Sequence, residues 1–391
     1  HIEHVNVGGA SSTINVRSHN VIIPLDSADS TIDTPALDID LSKLHTNIAR
    51  MAHVMTENGV SLRPHFKTSK MIEVARMQLD AGAIGFTCAT SREIQALFNA
   101  GIDNIFWANS TATPAKAKLA AKLSSKARLT VGLDSHELAI LLNNAAESEG
   151  VEISCLLEID TGLHRTGVTP DSALKLAQAI AELKNLRIVG VYMHEGQLAS
   201  IRDSRDELRK AGNSAAAILV NVAQELRRVG HQIDVVSVGS TPGWDSAPFV
   251  DGVTEARPGT YVFFDANQIR LGSTTLENCA LTVRTTVVSA HQSGSVVIDA
   301  GIKAMSSDPS NKGSTWGIPL RASDEIFESL EFTRAYEEHG ILEGVGAKKL
   351  GVGDVIHILP NHACGVVNMW SRINVINDGI VVGNWAPVGR Y

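Results

Sequence analysis

Eight times between residues 60 and 257 a short apolar run gives way to an amphipathic stretch, and that recurrence restricts the fold more than any other property of the chain. The strand-like runs cover residues 60–64, 85–88, 104–108, 128–133, 152–159, 186–194, 235–239 and 254–257. Between them lie helical stretches such as MIEVARMQLDAG, SREIQALFNAG, PDSALKLAQAIAELKN and the long segment from SRDELRK to QELRRVG. Strands that alternate with helices pair in parallel, because each helix carries the chain back across the sheet. Eight such units favour a closed barrel over an open Rossmann sheet. Just before them, Leu41, Leu44, Ile48, Met51 and Met55 share one helical face. The expected fold class is α/β: an eight-stranded parallel (β/α)8 barrel with a second, mostly antiparallel β domain.

Past about Leu271 the texture changes. ALTVRTTVVSA, GSVVIDAG, DVIHILP and DGIVVGNW are β-rich and broken by Gly and Asn-Asp-Gly turns. The early TIDTPALDID is extended and is expected to join this part across the fold. Residues 40–271 are therefore assigned to the barrel, and residues 1–39 plus 272–391 to the β domain. The glycine-rich GVGAKKLGVG, residues 344–353, reads as a loop. A chain of 391 residues with 44% apolar content can fill one large core and a smaller one.

The formal charge of −8, with no sustained basic run, argues against a nucleic-acid partner. No apolar run approaches the ~20 residues of a membrane span, so no membrane partner is expected. Cys88, Cys155, Cys279 and Cys364 lie far apart, which fits reduced thiols better than a disulfide framework. Cytoplasm is the expected location. The sequence opens on His rather than Met, so loss of an upstream segment and export of a processed precursor stay open.

Barrels of this kind carry their chemistry at the carboxyl ends of the strands. VSLRPHFKTSK sets Lys67 just past the first such end, with Arg63, His65 and Lys70 nearby. Like charge and burial lower a lysine's pKa and make it a nucleophile for a carbonyl group. The plain alternative is a solvated lysine in a loop. In the seventh unit, VSVGSTPGWDS ends a strand in Gly239, Ser240 and Thr241, a tight turn of N–H groups and hydroxyls suited to a phosphate. In the eighth, RPGTYVFFD adds Gly259, Thr260 and the phenol of Tyr261. Standing alone, the first of these also fits an ordinary Gly-Pro turn. Phosphate sites in barrels favour the loops after strands seven and eight, and a lysine facing such a cradle points to pyridoxal phosphate held as a Schiff base.

Together these residues resemble the alanine racemase-like fold III pyridoxal phosphate enzymes, and within them the D-serine dehydratase and D-threonine aldolase family, over nearly the whole chain. The resemblance makes Lys67 of RPHFKTSK the Schiff-base residue, with His65 in the cofactor site. It sets Arg165 of EIDTGLHRTGV near the cofactor's ring oxygen and His194 of YMHEG beside the ring as a catalytic group. VSVGSTP and RPGTYVFFD match the family's phosphate loops. In PNHACGVVN, His362 and Cys364 sit two apart, facing one side of an extended segment. By itself that pair is a weak zinc signal, since zinc usually takes three or four protein ligands, and Cys364 reads as a small buried hydrophobe. The resemblance instead makes the two residues holders of a divalent metal, zinc first, with manganese or magnesium as alternatives. It also gives His339 of AYEEHGIL an active-site role. Asp299 and Lys303 of IDAGIKAMSSD fall at the domain junction without an assigned role.

The activity this resemblance implies is that of a lyase acting on D-β-hydroxy-α-amino acids, working as a homodimer. Lys67 would hold the cofactor and then take the substrate's α-proton. The metal would polarise the β-hydroxyl, a poor leaving group, and β-elimination would give a 2-keto acid and ammonia. Retro-aldol cleavage to glycine and an aldehyde is the alternative on the same parts. Aldolases of the family carry a second histidine after a YHG-like element and an acidic residue in place of the cysteine. This chain has HEGQLAS and Cys364, which lean toward elimination. VVN after the metal pair and RPGTYVF also occur in aldolase-like members, and Gln197 leaves the substrate side chain unassigned. Racemisation and a non-catalytic pyridoxal phosphate carrier are the remaining readings, and neither needs the metal pair.

Overall fold

Asp40 closes β1 (Ala36–Asp40) and caps α1 (Leu41–Glu57): its carboxylate accepts the backbone N–H of Lys43 at 2.9 Å. That bond satisfies one of the donors a helix start leaves unpaired. Leu44, Ile48, Met51 and Met55 are buried along one face of α1, which follows the apolar periodicity. The structure, a computed structural model, describes residues 32–310 and 315–391. The portion of the expected β domain before residue 32 lies outside the described residues.

Eight parallel strands come next: β2 (Ser61–Leu62), β3 (Phe86–Cys88), β4 (Asn104–Trp107), β5 (Arg128–Leu133), β6 (Ile153–Glu158), β7 (Leu186–Tyr192), β8 (Val235–Gly239) and β9 (Glu255–Arg257). Between them run α2 (Ile72–Asp80), α3 (Ser91–Asn99), α4 (Pro114–Ser124), α5 (His136–Glu149), α6 (Ala173–Ala181) and α7 (Arg205–Arg228). The sheet order β2-β9-β8-β7-β6-β5-β4-β3 places sequence neighbours side by side. A bridge between His65 and Thr87 joins its two ends, with the Phe66 N–H donating to Thr87 O and the Thr87 N–H to Pro64 O, both at 2.8 Å. Past Leu62 the contact with β9 continues through the Arg63 and His65 N–H groups, which donate to Ala256 O at 2.9 Å and Pro258 O at 3.0 Å. The ring is thus completed two residues before Lys67. Inside it, Phe106, Leu156 and Tyr192 form a small buried cluster.

The second sheet holds β10 (Leu281–Ser289), β11 (Ser295–Ile298), β12 (Gly317–Leu320), β13 (Glu331–Ala335), β14 (Gly340–Glu343), β15 (Val355–Pro360), β16 (Ile373–Asn377) and β17 (Ile380–Trp385). Buried and half-buried residues alternate along β10, the mark of a strand with one face on a core. Pairing is antiparallel except between β1 and β16, and β1 lies between β10 and β16. The chain's early strand is therefore an inner member of the late sheet. The glycine-rich segment 344–353 is not wholly loop: Val345–Lys349 makes a 3-10 turn. Residues 34–391 pack as one unit. Cys88, Cys155, Cys279 and Cys364 are all unpaired. No helix among the described residues is long and apolar enough to cross a membrane.

Candidate active site

The carboxyl ends of the barrel strands surround a cavity of about 790 Å³, within the range of small-molecule sites. His65, Lys67, Arg165, His194, Gly239, Ser240, Thr241, Gly259, Thr260, His362 and Cys364 all line it. Two residues expected there do not. Tyr261 is fully buried, and its phenol oxygen accepts from Gln78 Nε2 at 2.9 Å, because the turn Thr260–Val262 rolls the ring into the core. Its phenol is a packing group rather than a phosphate donor. His339 is exposed on the turn between β13 and β14, where its carbonyl accepts the Tyr336 N–H at 2.8 Å, and its ring is not brought to the cavity.

Lys67 leaves the strand end with different neighbours from those its sequence suggests. Arg63 is drawn away by Glu255 Oε2 at 3.0 Å and Asn104 Oδ1 at 2.9 Å. Lys70 turns aside in a left-handed conformation, φ +49°, with Nζ 3.3 Å from Asn368 Oδ1 and 3.4 Å from Gly389 O. What surrounds the amine instead is a pair of imidazoles and two guanidinium groups. Burial, then Lys67, Arg257, His194 and Arg165, push His65 well below the ordinary histidine range. Burial, then Lys67, Arg257 and Arg165, take His194 down to about 3. Both rings are neutral near pH 7. His65 Nδ1 accepts the Lys67 N–H at 3.3 Å, which leaves its proton on Nε2. Arg165 rides on a loop pinned by Asp160, which accepts the Gly162 and His164 N–H groups at 2.9 and 3.1 Å.

The phosphate turn is built from small residues for a steric reason. A side chain at Gly239 would meet Arg257 Nη2 at 2.9 Å and His194 Nδ1 at 3.2 Å. Next to it Ser240 takes φ +73°, a strained setting for a residue with a Cβ. Glu195, fully buried behind the turn, explains that strain: its carboxylate accepts the Gly239 N–H at 3.0 Å and the Ser240 hydroxyl at 3.1 Å. The Gly239 N–H is thus committed to Glu195 rather than aimed at the cavity. Thr241 Oγ1 is buried with no partner in the chain, an acceptor and donor suited to a phosphate oxygen. Below lies Arg257, fixed by Ser237 Oγ and Met193 O, each at 2.6 Å, and set over the rings of Tyr192 and Phe106 at 5.2 and 5.6 Å.

His362 and Cys364 reach the cavity by a route other than the extended segment expected. Only His362 is extended; it stands at the N-cap of the helix Ala363–Met369, and Cys364 is in the first turn. Asp265 holds that turn by accepting the Ala363 N–H at 2.9 Å. Thr68 Oγ1 lies 3.1 Å and Thr260 Oγ1 3.7 Å from Cys364 Sγ, so barrel residues flank the thiol. Burial alone would raise the thiol, but His362, Lys67 and Thr68 bring it down to about 7. A thiolate beside an imidazole shares a proton that a divalent cation would replace, so the donor set fits a metal such as zinc. Among the described residues no group of three or more His, Cys, Asp or Glu side chains surrounds a metal position. A cation here would take its other ligands from water or substrate. Asp308 Oδ2 faces His362 Nδ1 at 3.4 Å, an approach possible only because residue 365 is glycine, whose Cβ position lies 1.9 Å from that oxygen.

Glu195, Arg257, Thr68 and Asp308 were not singled out by the sequence pattern. All four sit inside motifs that were read for their neighbours. Nothing in the sequence near Asp308 indicates its partner. Asp299, by contrast, is structural: it accepts from the hydroxyls of Thr34 and Thr285 and the N–H of Thr286. Lys303 pairs with Glu338 on the surface at 2.8 Å.

A strand-end lysine in a (β/α)8 barrel, joined to an antiparallel sheet that carries a helix into the same cavity, defines an alanine racemase-like protein. Residues 39–267 match the profile of the alanine racemase N-terminal domain and residues 280–376 that of a serine dehydratase domain, and the chain belongs to the alanine racemase N-terminal domain family. That membership implies pyridoxal phosphate. Among its relatives is the D-threo-3-hydroxyaspartate dehydratase of Delftia sp. strain HT23, 37% identical over 88% of this chain and 98% of that protein. The D-threonine aldolase of Arthrobacter sp. is 31% identical over 92% and 93%. The solved structure of the Delftia dehydratase superposes with a TM-score of 0.86 at 34% identity, covering 91% of this chain and 98% of that one. The same dehydratase has also been solved as a cysteine-to-alanine mutant in the metal-free form.

Proposed function

We propose that this protein is a pyridoxal phosphate-dependent lyase that uses a divalent metal to eliminate water from D-β-hydroxy-α-amino acids, giving a 2-keto acid and ammonia. One observation carries the reading: Lys67 and the His362–Cys364 pair open onto the same cavity, in a chain whose relatives are dehydratases and aldolases of such substrates. Bound pyridoxal phosphate supplies an aldehyde for an amine and a ring that draws electrons from the α-carbon. Lys67 is the amine that would hold it, and once released it is the base placed to move the α-proton. His194, neutral, and Arg165 and Arg257 line the cavity; they would lie around the cofactor's ring, the imidazole adding no charge and the guanidinium groups supplying a positive field. Thr241 Oγ1 and the turn at Gly259 would receive the phosphate; a side chain at Gly259 would meet Thr68 Oγ1 at 2.7 Å and close the space. His362 and Cys364 would hold the cation, zinc for its preference for thiolate and imidazole, where it would meet the substrate's β-oxygen.

The second reading, aldol cleavage to glycine and an aldehyde, draws on the D-threonine aldolase among the relatives. Product analysis separates the two. With D-serine, D-threonine and D-threo-3-hydroxyaspartate as substrates, keto acid and ammonia are expected in equal amounts, and glycine with aldehyde as the main products would overturn elimination. A homodimer is part of the proposal. It is supported by the edge strand β17, where Ile380 is 67% and Val382 54% exposed, an apolar edge that solvent does not favour.

A further inference from the structure

Behind the phosphate turn lies a carboxylic acid that the chemistry above does not use. Glu195 is fully buried, and it holds the Gly239 N–H and the Ser240 hydroxyl with its two oxygens. A serine hydroxyl has one proton to give. While that proton is donated to Glu195, Ser240 can present only lone pairs to an anion in the turn. If Glu195 carries the proton instead, it donates to Ser240 Oγ, and the serine proton is free to point at a phosphate oxygen. The Gly239 N–H keeps its acceptor in both arrangements.

We propose that Glu195 is a proton-linked anchor of the phosphate turn, taking up a proton from solvent when the cofactor's phosphate dianion settles against Ser240 and Thr241. The inference rests on the cofactor reading above. Three observations support it. Ser240 is held at φ +73°, so the turn is shaped around the carboxyl. Thr241 Oγ1 is buried and unpartnered, marking where an anion would be received. Burial already pushes Glu195 up to about 7, against the opposing pull of its own backbone N–H, Arg257, the Gly239 N–H and the Ser240 hydroxyl, and a nearby dianion raises it further. The groups acting on it are its own backbone N–H, charged Arg257 from β9, and the Gly239 N–H and Ser240 hydroxyl from the end of β8.

The test is binding of pyridoxal 5′-phosphate to the full chain freed of cofactor, followed calorimetrically near pH 8 in buffers of different ionisation heat. Wild type is expected to take up about half to one proton more than Glu195→Gln, and its affinity to fall up to about tenfold more steeply per pH unit. Should the glutamine variant fail to fold, Ser240→Ala serves. Without that hydroxyl the carboxyl holds its proton more tightly before loading and no serine proton is left to turn toward the phosphate, so proton uptake at this pH is expected to shrink. Equal uptake in wild type and a folded variant, with both binding the cofactor, overturns the linkage while leaving the cofactor reading intact. No binding by wild type overturns both.

Discussion

Two side chains hold the His362 ring, Asp308 and Cys364. Asp308 Oδ2 faces Nδ1 at 3.4 Å, the kind of carboxylate contact that would orient the ring if His362 binds the proposed metal. Asp308→Asn is expected to weaken zinc retention about 10- to 100-fold, read by dialysis against buffered metal. Glu195 bears on stability as well as on loading. Its carboxyl is raised from 4.5 to about 7 in the folded chain, so the stability linked to its proton is complete below about pH 4.5 and lost as pH rises through 7. Between pH 5 and pH 8, urea unfolding should show wild type losing about 3 kcal/mol relative to Glu195→Gln; parallel curves would contradict the assignment. Lys67 and the Ser240 turn were legible because side chains with chemistry stood at strand ends, whereas His194 came only from the family resemblance. Glu195 and Asp308 were not, since what matters about them is the partners they meet across the fold.

At the level of elements, the barrel's interior is filled to the point where one strand limits another. Gly132 on β5 leaves space for the Tyr192 ring of β7: a Cβ there would lie 2.2 Å from the phenol oxygen, which donates to Ala108 O at 2.8 Å. Gly132→Ala is expected to cost about 1–3 kcal/mol by overpacking and to loosen cofactor retention, since Tyr192 also lines the cavity. Thermal unfolding and cofactor dissociation measure the two effects. The strands could be read from sequence because doubly covered parallel strands are continuous apolar runs. The helix after His362 could not: ACGVVNM is short, lacks a capping side chain and carries two valines that favour strand. Its helical start comes from Asp265, which lies far away in sequence.

Considered as a whole, the molecule brings its chemistry together from two sheets: the barrel offers the amine, and the antiparallel sheet offers the thiol and imidazole. The two functions should therefore separate. Chelation is expected to stop keto-acid formation while the cofactor's visible absorbance persists, and zinc should restore turnover; loss of colour along with metal would show that the barrel alone cannot hold the cofactor. This joint action was only partly legible, because periodicity gives strands and not the packing of one sheet's helix against another's loops. The position of β1 has a consequence for biogenesis. Ala36 pairs with Arg284 and Asp38 with Asn374. A ribosome releases β1 long before its neighbours are made, so the nascent chain must carry an unmatched inner strand through synthesis of the entire barrel. Truncation anywhere before Asn374 would leave that strand short of a partner and open to chaperones or aggregation.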